Sequence, residues 1–242
     1  MKEMNLNELA KQAFENAKAK GFHDEKHTDG HYLMLVACEL AEAVEADREG
    51  RRSDRRTYNF LLQEYGEQLA KYLFEMHIKD TVEDELADAV IRLLDFVGVK
   101  GYDIPENYIT EEQIKNEADE VKEWMINKTF ADVVFSSCLV NIESAKEIPE
   151  ALMYYIFVVA ELYGIDLIWH IKEKMMYNET RKMLHNNFVK SADMYFREFA
   201  GMIFNESTKM NMFADMESLD DAFRVWSKIP KEWEPKQTDK KE

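Results

Sequence analysis

The chain contains few of the residues that interrupt helices. Eight glycines and four prolines occur among 242 residues, too few for the many tight turns of an all-β sandwich or for the glycine-rich loops of a nucleotide-binding α/β sheet. Apolar side chains instead recur at helical spacing, and no segment carries a strand signal of comparable strength. One such stripe comprises Leu33, Val36, Ala37, Leu40 and Val44. We therefore predict an all-α fold, a helical bundle.

Composition and charge limit the class of partner. Hydrophobic residues make up 46% of the chain, enough for a buried core without disulfides or structural metals. Lysine and arginine number 31 against 48 aspartates and glutamates, a net charge of -17. A field of that sign repels phosphate backbones unless basic residues or bound cations cluster locally. We expect no duplex nucleic acid as a partner.

The sequence predicts neither a secretory signal nor a membrane span. Cys38 and Cys138 lie in helical patterns without partners at metal-ligand spacing, and the first residues open a polar amphipathic segment. The most apolar stretch, residues 151–162, is interrupted by Glu161 and is too short to cross a bilayer. We expect a cytoplasmic protein.

Start and stop signals divide the chain into helices. Thr81 and Thr110 each begin a segment with an acidic or glutamine residue at capping spacing, Pro149 suits a first helical turn, and Gly50 and Gly101 suit helix ends. Residues 190–228 alternate short helical patterns with Asn and Ser breaks, and 230–242 are polar and expected to be mobile. The predicted helices cover residues 4–20, 31–50, 58–76, 81–99, 110–127, 130–146, 149–163 and 166–185.

Two helices carry acidic pairs three residues apart, Glu39 with Glu42 and Glu85 with Asp88. Residues at this spacing share a helix face, so two such helices packed antiparallel bring four carboxylates together. Two carboxylates ~4 Å apart repel by roughly 4 kcal/mol at an effective dielectric near 20, which a divalent cation relieves. Oxygen ligands favour a hard ion such as Mg²⁺. On spacing alone, ordinary solvated acidic faces are the simpler interpretation.

Three separated segments resemble one enzyme family. The sequence ELAE at residues 39–42, followed by ELAD at 85–88, is similar to the ExxE and ExxD motifs of the all-α nucleoside triphosphate pyrophosphohydrolases. This MazG-like superfamily also contains dimeric dUTPases and dCTPases. Residues 83–95 resemble its third helix, and residues 164–181 resemble its closing segment, with the pattern Lys-x-x-Tyr-Asn-x-x-Arg.

The resemblance implies cleavage of a nucleoside triphosphate between its α and β phosphates, which releases a monophosphate and pyrophosphate. It implies that Mg²⁺, or Mn²⁺ in its place, is held by catalytic carboxylates, namely Glu39, Glu42, Glu85 and Asp88. In that case the closing segment contacts the substrate. Its lysine and arginine supply positive charge to the phosphates, and its asparagine amide can hydrogen-bond to the sugar or base. Those residues are Lys174, Tyr177, Asn178 and Arg181.

The resemblance also implies the domain organisation. It predicts a pyrophosphohydrolase-like domain over residues 1–189, with a helical insertion at about 105–162, and a C-terminal extension over 190–242. Family members are helical oligomers, and the apolar stretch 151–162 needs covering on more than one side. We expect a homodimer or higher oligomer, and a chain that covers itself through an internal duplication is the alternative.

Two other functions are compatible with the sequence. A non-catalytic interaction protein would keep the acidic helices as solubilising faces and bind through the insertion, and a related phosphohydrolase would act on a different nucleotide. His23, His27 and His31 are spaced by four, but Gly30 interrupts their helix and no ligand completes a metal set. The basic run at 51–56 is favoured simply by its place after an acidic helix.

Overall fold

The computed structural model describes residues 5–180, apart from the side chain of Trp124. Within this range the chain is helical and contains no strand, which confirms the all-α prediction. The predicted domain boundary at 189 and the extension 190–242 lie outside the described residues. The helices are α1 (Leu6–Ala19), α2 (Asp29–Arg48), α3 (Arg55–Tyr65), α4 (Ala70–His77), α5 (Val82–Lys100), α6 (Glu111–Trp124), α7 (Phe130–Ser137), α8 (Pro149–Leu162) and α9 (Leu167–Thr180).

The predicted helix caps are present. The Thr81 hydroxyl accepts a hydrogen bond from the backbone N–H of Asp84, and Thr110 forms a full capping box with Gln113. Pro149 occupies the first turn of α8. Gly101 closes α5 with φ of 59°, a left-handed conformation that suits glycine.

Two predicted helices are wrong because each is interrupted. The segment 58–76 breaks at Gly66, whose φ of 84° ends α3, and a short 3₁₀ turn at Glu67–Leu69 precedes α4. The segment 130–146 ends as an α-helix at Ser137 and continues as 3₁₀ turns. There the Asn141 amide donates to the carbonyl of Ser137 and the Ser144 hydroxyl to that of Asn141, and such bonds compete with the helical pattern.

Helix α5 lies at the centre of the main core. It packs against α2, α1 and α8, and more than half of its residues are buried. Small residues at the α2–α5 contact allow a close approach of the two backbones. The residues of the two helices with no exposed surface include Ala43, Ala46, Ala87, Ala89 and Leu40.

The predicted insertion is part of the same core. Helix α8 packs against α5, α6 and α7, and its apolar side chains are buried within this one chain, among them Leu152, Met153 and Ile156. The helix therefore needs no second chain for its burial, and the homodimer stays a prediction.

A separate cluster of Tyr58, Leu73, Phe74, Ile78 and Tyr177 joins α3, α4 and α9.

Across residues 5–180 no single helix is long and apolar enough to span a membrane. Helices α8 and α9 reach the required length only together, and the chain bends by 112° between them.

Two glycines provide a matched test of the α1–α5 packing. A Cβ at Gly98 in α5 would lie 2.5 Å from the Cβ of Phe14, whereas one at Gly30 in α2 meets nothing closer than 3.8 Å. We expect Gly98→Ala to lower the free energy of unfolding by about 1–3 kcal/mol, since overpacking outweighs the gain in helix propensity. Gly30→Ala should leave it unchanged or raise it by up to about 1 kcal/mol. Urea unfolding measures both, and equal effects would contradict the close packing.

Candidate metal centre

The two helices that carry the predicted ligands are antiparallel. Lys100 at the end of α5 pairs with Asp29 at the start of α2, with 2.9 Å between Nζ and Oδ2. At the other end, the backbone N–H of Val82 donates to the carbonyl of Arg51, just beyond α2. The arrangement is the one in which acidic pairs on the two helices face each other.

Three of the four predicted ligands meet at this seam. Glu39 from α2 and Glu85 and Asp88 from α5 each offer a carboxylate oxygen, and these oxygens lie within 4.8 Å of one another. Glu39 and Glu85 are buried and Asp88 is half-buried. We call these three residues the carboxylate cluster. Their geometry and oxygen-only chemistry fit a hard divalent cation.

Burial makes the negative charge of the cluster unfavourable. It raises the pKa of Glu85 to about 8, and the charges of Asp84 and Asp88 act in the same direction. It also raises the pKa of Glu39, although Arg92, whose Nε donates to Glu39 Oε1 at 2.9 Å, opposes the shift. A bound cation would remove the penalty and release the proton that Glu85 otherwise holds near neutral pH.

Lys174 supplies a positive charge beside the cluster. Its ammonium is buried and lies 2.7 Å from Oδ2 of Asp88 and 2.7 Å from Oδ2 of Asp84. Burial lowers the pKa of Lys174, but the two carboxylates raise it above its ordinary value, so the side chain stays protonated. The residue predicted to contact substrate phosphates is thus engaged by two aspartates.

Asp84 is the acidic residue at capping spacing after Thr81. Its side chain is fully buried, its Oδ2 accepts from the backbone N–H of Asp80 as well as from Lys174, and its Oδ1 has no partner among the described residues. Burial raises the pKa of Asp84 to about 7, and the Lys174 ammonium acts against this shift. The Asp80 N–H and the Lys174 ammonium both contact Oδ2, and both contacts stabilise the ionised form of Asp84.

Glu42 lies outside the carboxylate cluster. It is exposed one turn beyond Glu39 on α2, near enough for its charge to raise the pKa of Glu39, after the larger effects of burial and Asp88. Because the Glu42 side chain is exposed, surrounding residues do not enclose it. Its assignment as a metal ligand stays a prediction.

The other residues predicted to bind substrate do not converge on the carboxylate cluster in the described part of the chain. The Tyr177 ring stacks on Phe74 with centroids 4.5 Å apart, and its hydroxyl donates to Glu75, so it packs α9 against α4. The half-buried Asn178 accepts a hydrogen bond from Lys20 at its backbone carbonyl. Arg181 lies outside the described residues.

Several residues of the basic and histidine runs form ion pairs or ring contacts within the protein. Arg55 pairs with Asp166 at 2.7 Å and stacks over the Trp169 ring, and the neighbouring arginines 51 and 52 pair with acidic residues at 49 and 47. His23 Nε2 lies 2.8 Å from Asp95 Oδ1. Among the described residues, the groups of side chains that could hold a metal ion consist of carboxylates alone, the second being Asp80, Asp84 and Glu85.

No protein-family model, curated protein or solved structure matches the chain. The functional assignment therefore depends on the geometry of the described residues and on the sequence motifs.

Proposed function

We propose that the protein is a Mg²⁺-dependent nucleoside triphosphate pyrophosphohydrolase of the MazG-like type. The observation that carries the proposal is the convergence of Glu39, Glu85 and Asp88 from two antiparallel helices, with mutual oxygen distances within 4.8 Å. The resemblance of these segments to the ExxE and ExxD motifs predicted this convergence, whereas ordinary solvated acidic faces would not require it. Two of the three residues are instead buried.

The charges around the cluster favour a divalent ion. Four carboxylates, those of the cluster and of Asp84, face two cationic side chains, Arg92 and Lys174. When all four are ionised, two negative charges remain uncompensated. A divalent cation neutralises this remainder, whereas a buried uncompensated charge costs several kcal/mol. When bound, Mg²⁺ would shield the phosphate oxygens and favour ionisation of a coordinated water.

The side chains around the ion would bind it, orient its ligands and activate the attacking water. Glu39, Glu85 and Asp88 would hold the ion, and Arg92 orients Glu39 through its 2.9 Å contact. Glu42 is the predicted carboxylate that stays exposed, so it can orient a water and accept its proton. The water oxygen bonds to the α phosphorus, the bond from that phosphorus to the bridging oxygen breaks, and pyrophosphate leaves.

Lys174 acts in this scheme as a fixed counter-charge. Its two 2.7 Å contacts hold it against Asp84 and Asp88, which lowers the repulsion between carboxylates before any ion binds. It also fixes the orientation of Asp88 through Oδ2. Contact with a substrate phosphate would require Lys174 to leave one of these aspartates.

Replacing one cluster carboxylate tests the metal site. We expect Glu85→Gln to weaken Mg²⁺ binding by at least the roughly 10- to 100-fold loss typical of outer-shell changes, and to abolish most hydrolysis. The wild-type affinity should rise with pH up to about 8, because the ion competes with the proton on Glu85. Isothermal titration calorimetry measures the Mg²⁺ affinity of the variant and the pH dependence of the wild-type affinity.

Glu45→Gln is the matched control, because Glu45 is exposed on α2 and forms an ion pair with Arg48. It should bind Mg²⁺ as wild type does. Equal affinities of the two variants, both folded by circular dichroism, would contradict the metal site.

Removing the counter-charge should destabilise the protein. Lys174→Met leaves Asp84 buried without its cation, and we expect a loss of about 3–5 kcal/mol in the free energy of unfolding. The loss should be larger in chelator than with saturating Mg²⁺, since the ion compensates part of the missing charge. Lys172→Met, at an exposed position of α9, should change stability by less than about 0.5 kcal/mol. Denaturant unfolding measures both variants, and an equal loss of stability for Lys174→Met and Lys172→Met would contradict a stabilising role for the Lys174 ion pairs.

The product identifies the phosphorus that is attacked. We expect a nucleoside monophosphate and pyrophosphate when the purified chain is incubated with a panel of nucleoside triphosphates and Mg²⁺, analysed by anion exchange. Orthophosphate as the first product, with contaminating pyrophosphatase excluded, would place the attack at the γ phosphorus. Absence of any product with intact Mg²⁺ binding would favour the non-catalytic interaction protein.

A further inference from the structure

A surface depression of about 480 Å³ lies away from the carboxylate cluster, within the insertion. The loop after α5 and helices α6 and α8 form its walls. Three tyrosines line it together with an acid and two amides and no lysine or arginine, namely Tyr108, Tyr154, Tyr155, Glu106, Asn107 and Gln113.

The tyrosines are held in place by the surrounding helices. The Tyr154 hydroxyl donates to the backbone carbonyl of Gln113 at 3.1 Å, which fixes α8 against α6. The Tyr154 and Tyr155 rings meet at 68° with centroids 5.7 Å apart. The depression therefore has aromatic walls in more than one orientation.

A buried carboxyl group lies beside these tyrosines. Glu150, in the first turn of α8, is 2% exposed, and its Oε1 accepts a hydrogen bond from the Tyr102 hydroxyl at 2.5 Å. Its Oε2 has no partner among the described residues. Burial raises the pKa of Tyr108, and the nearby charge of Glu150 adds to the shift, so this carboxyl group acts on a wall of the depression.

The charged residues that line the depression or act on its tyrosines are acidic. Glu106 lines the depression, and Glu117 and Glu120 of α6 act on Tyr154, whose pKa is raised first by burial and then by Glu117. A phosphate or carboxylate ligand would be repelled here. Aromatic faces attract cations through their negative π surface, and the attraction grows when the cation is desolvated.

We propose that the depression binds an alkylammonium group, either on a free small molecule or on a methylated lysine side chain. The three tyrosines line the space for its methyl groups, Glu106 supplies the opposite charge on the wall, and the buried Glu150 adds a second negative charge behind the wall. This site is separate from the carboxylate cluster and does not depend on the proposed hydrolysis.

Binding of choline, measured by isothermal titration calorimetry on the full chain, tests the charge requirement. The control ligand is the neutral isostere in which carbon replaces the quaternary nitrogen, so size and shape are kept and charge is lost. We expect choline to bind about tenfold or more tightly than the isostere. Equal binding of both, or no binding of choline, would overturn the proposal.

Two variants test the residues. Tyr155→Leu and Glu150→Gln should each weaken choline binding about tenfold, and Gln keeps an oxygen that can accept from Tyr102. Tyr65→Leu at the end of α3 and Glu143→Gln, which is exposed, are the matched controls and should bind as wild type does. If a control loses as much affinity as its partner, with all variants folded by circular dichroism, the assigned site is wrong.

A second titration separates the two sources of the group. Both choline and the blocked amino acid N-acetyl-trimethyllysine amide carry the trimethylammonium group. Tighter binding of the lysine derivative by about tenfold would identify a protein side chain as the ligand, and the reverse order would identify a small molecule. Preference for unmethylated lysine over both would contradict recognition of the alkyl groups.

Discussion

The antiparallel packing of α2 against α5 is the constraint on which the other features depend. Small side chains such as Ala43 and Ala87 let the two helices approach closely, and the approach buries Glu39 and Glu85 at their seam. Buried carboxylates are costly unless they are paired or bind a cation. The surrounding structure therefore has to supply positive charge at this point, and it does so from two elements, Arg92 in α5 and Lys174 in α9.

The ion pairs of Lys174 link local electrostatics to the arrangement of the chain. Helix α9 is far from α5 in sequence, yet the Lys174 ammonium contacts Asp84 and Asp88 in the first two turns of α5. Tyr177, one turn further along α9, packs into the cluster that joins α3 and α4. One face of α9 thus serves both charge compensation and packing. Within the described part of the closing motif, Lys174 therefore lies at the carboxylates and Tyr177 lies in the apolar cluster.

The two candidate sites have opposite charge requirements and use opposite ends of α5. The carboxylate cluster begins at Glu85, and the tyrosine-lined depression borders the loop that starts after Gly101, about 25 Å further along the helix axis. The first suits a metal ion with anionic phosphates, and the second suits an organic cation. An acidic chain can support both, because a bound divalent ion reverses the local sign at the cluster only.

The sequence by itself determined the helices and the pairing of acidic residues. Periodicity, Thr110, Pro149 and Gly101 act through local backbone geometry, so the all-α class and most helix ends were predictable. The meeting of Glu39 with Glu85 and Asp88 was expected from the motif resemblance, because spacing alone favoured solvated acidic faces. Only the tertiary structure decided that Asp84 is buried against Lys174 and that Glu42 stays outside the cluster. These outcomes depend on which residues from distant segments meet, and on the burial that results, which no local pattern contains.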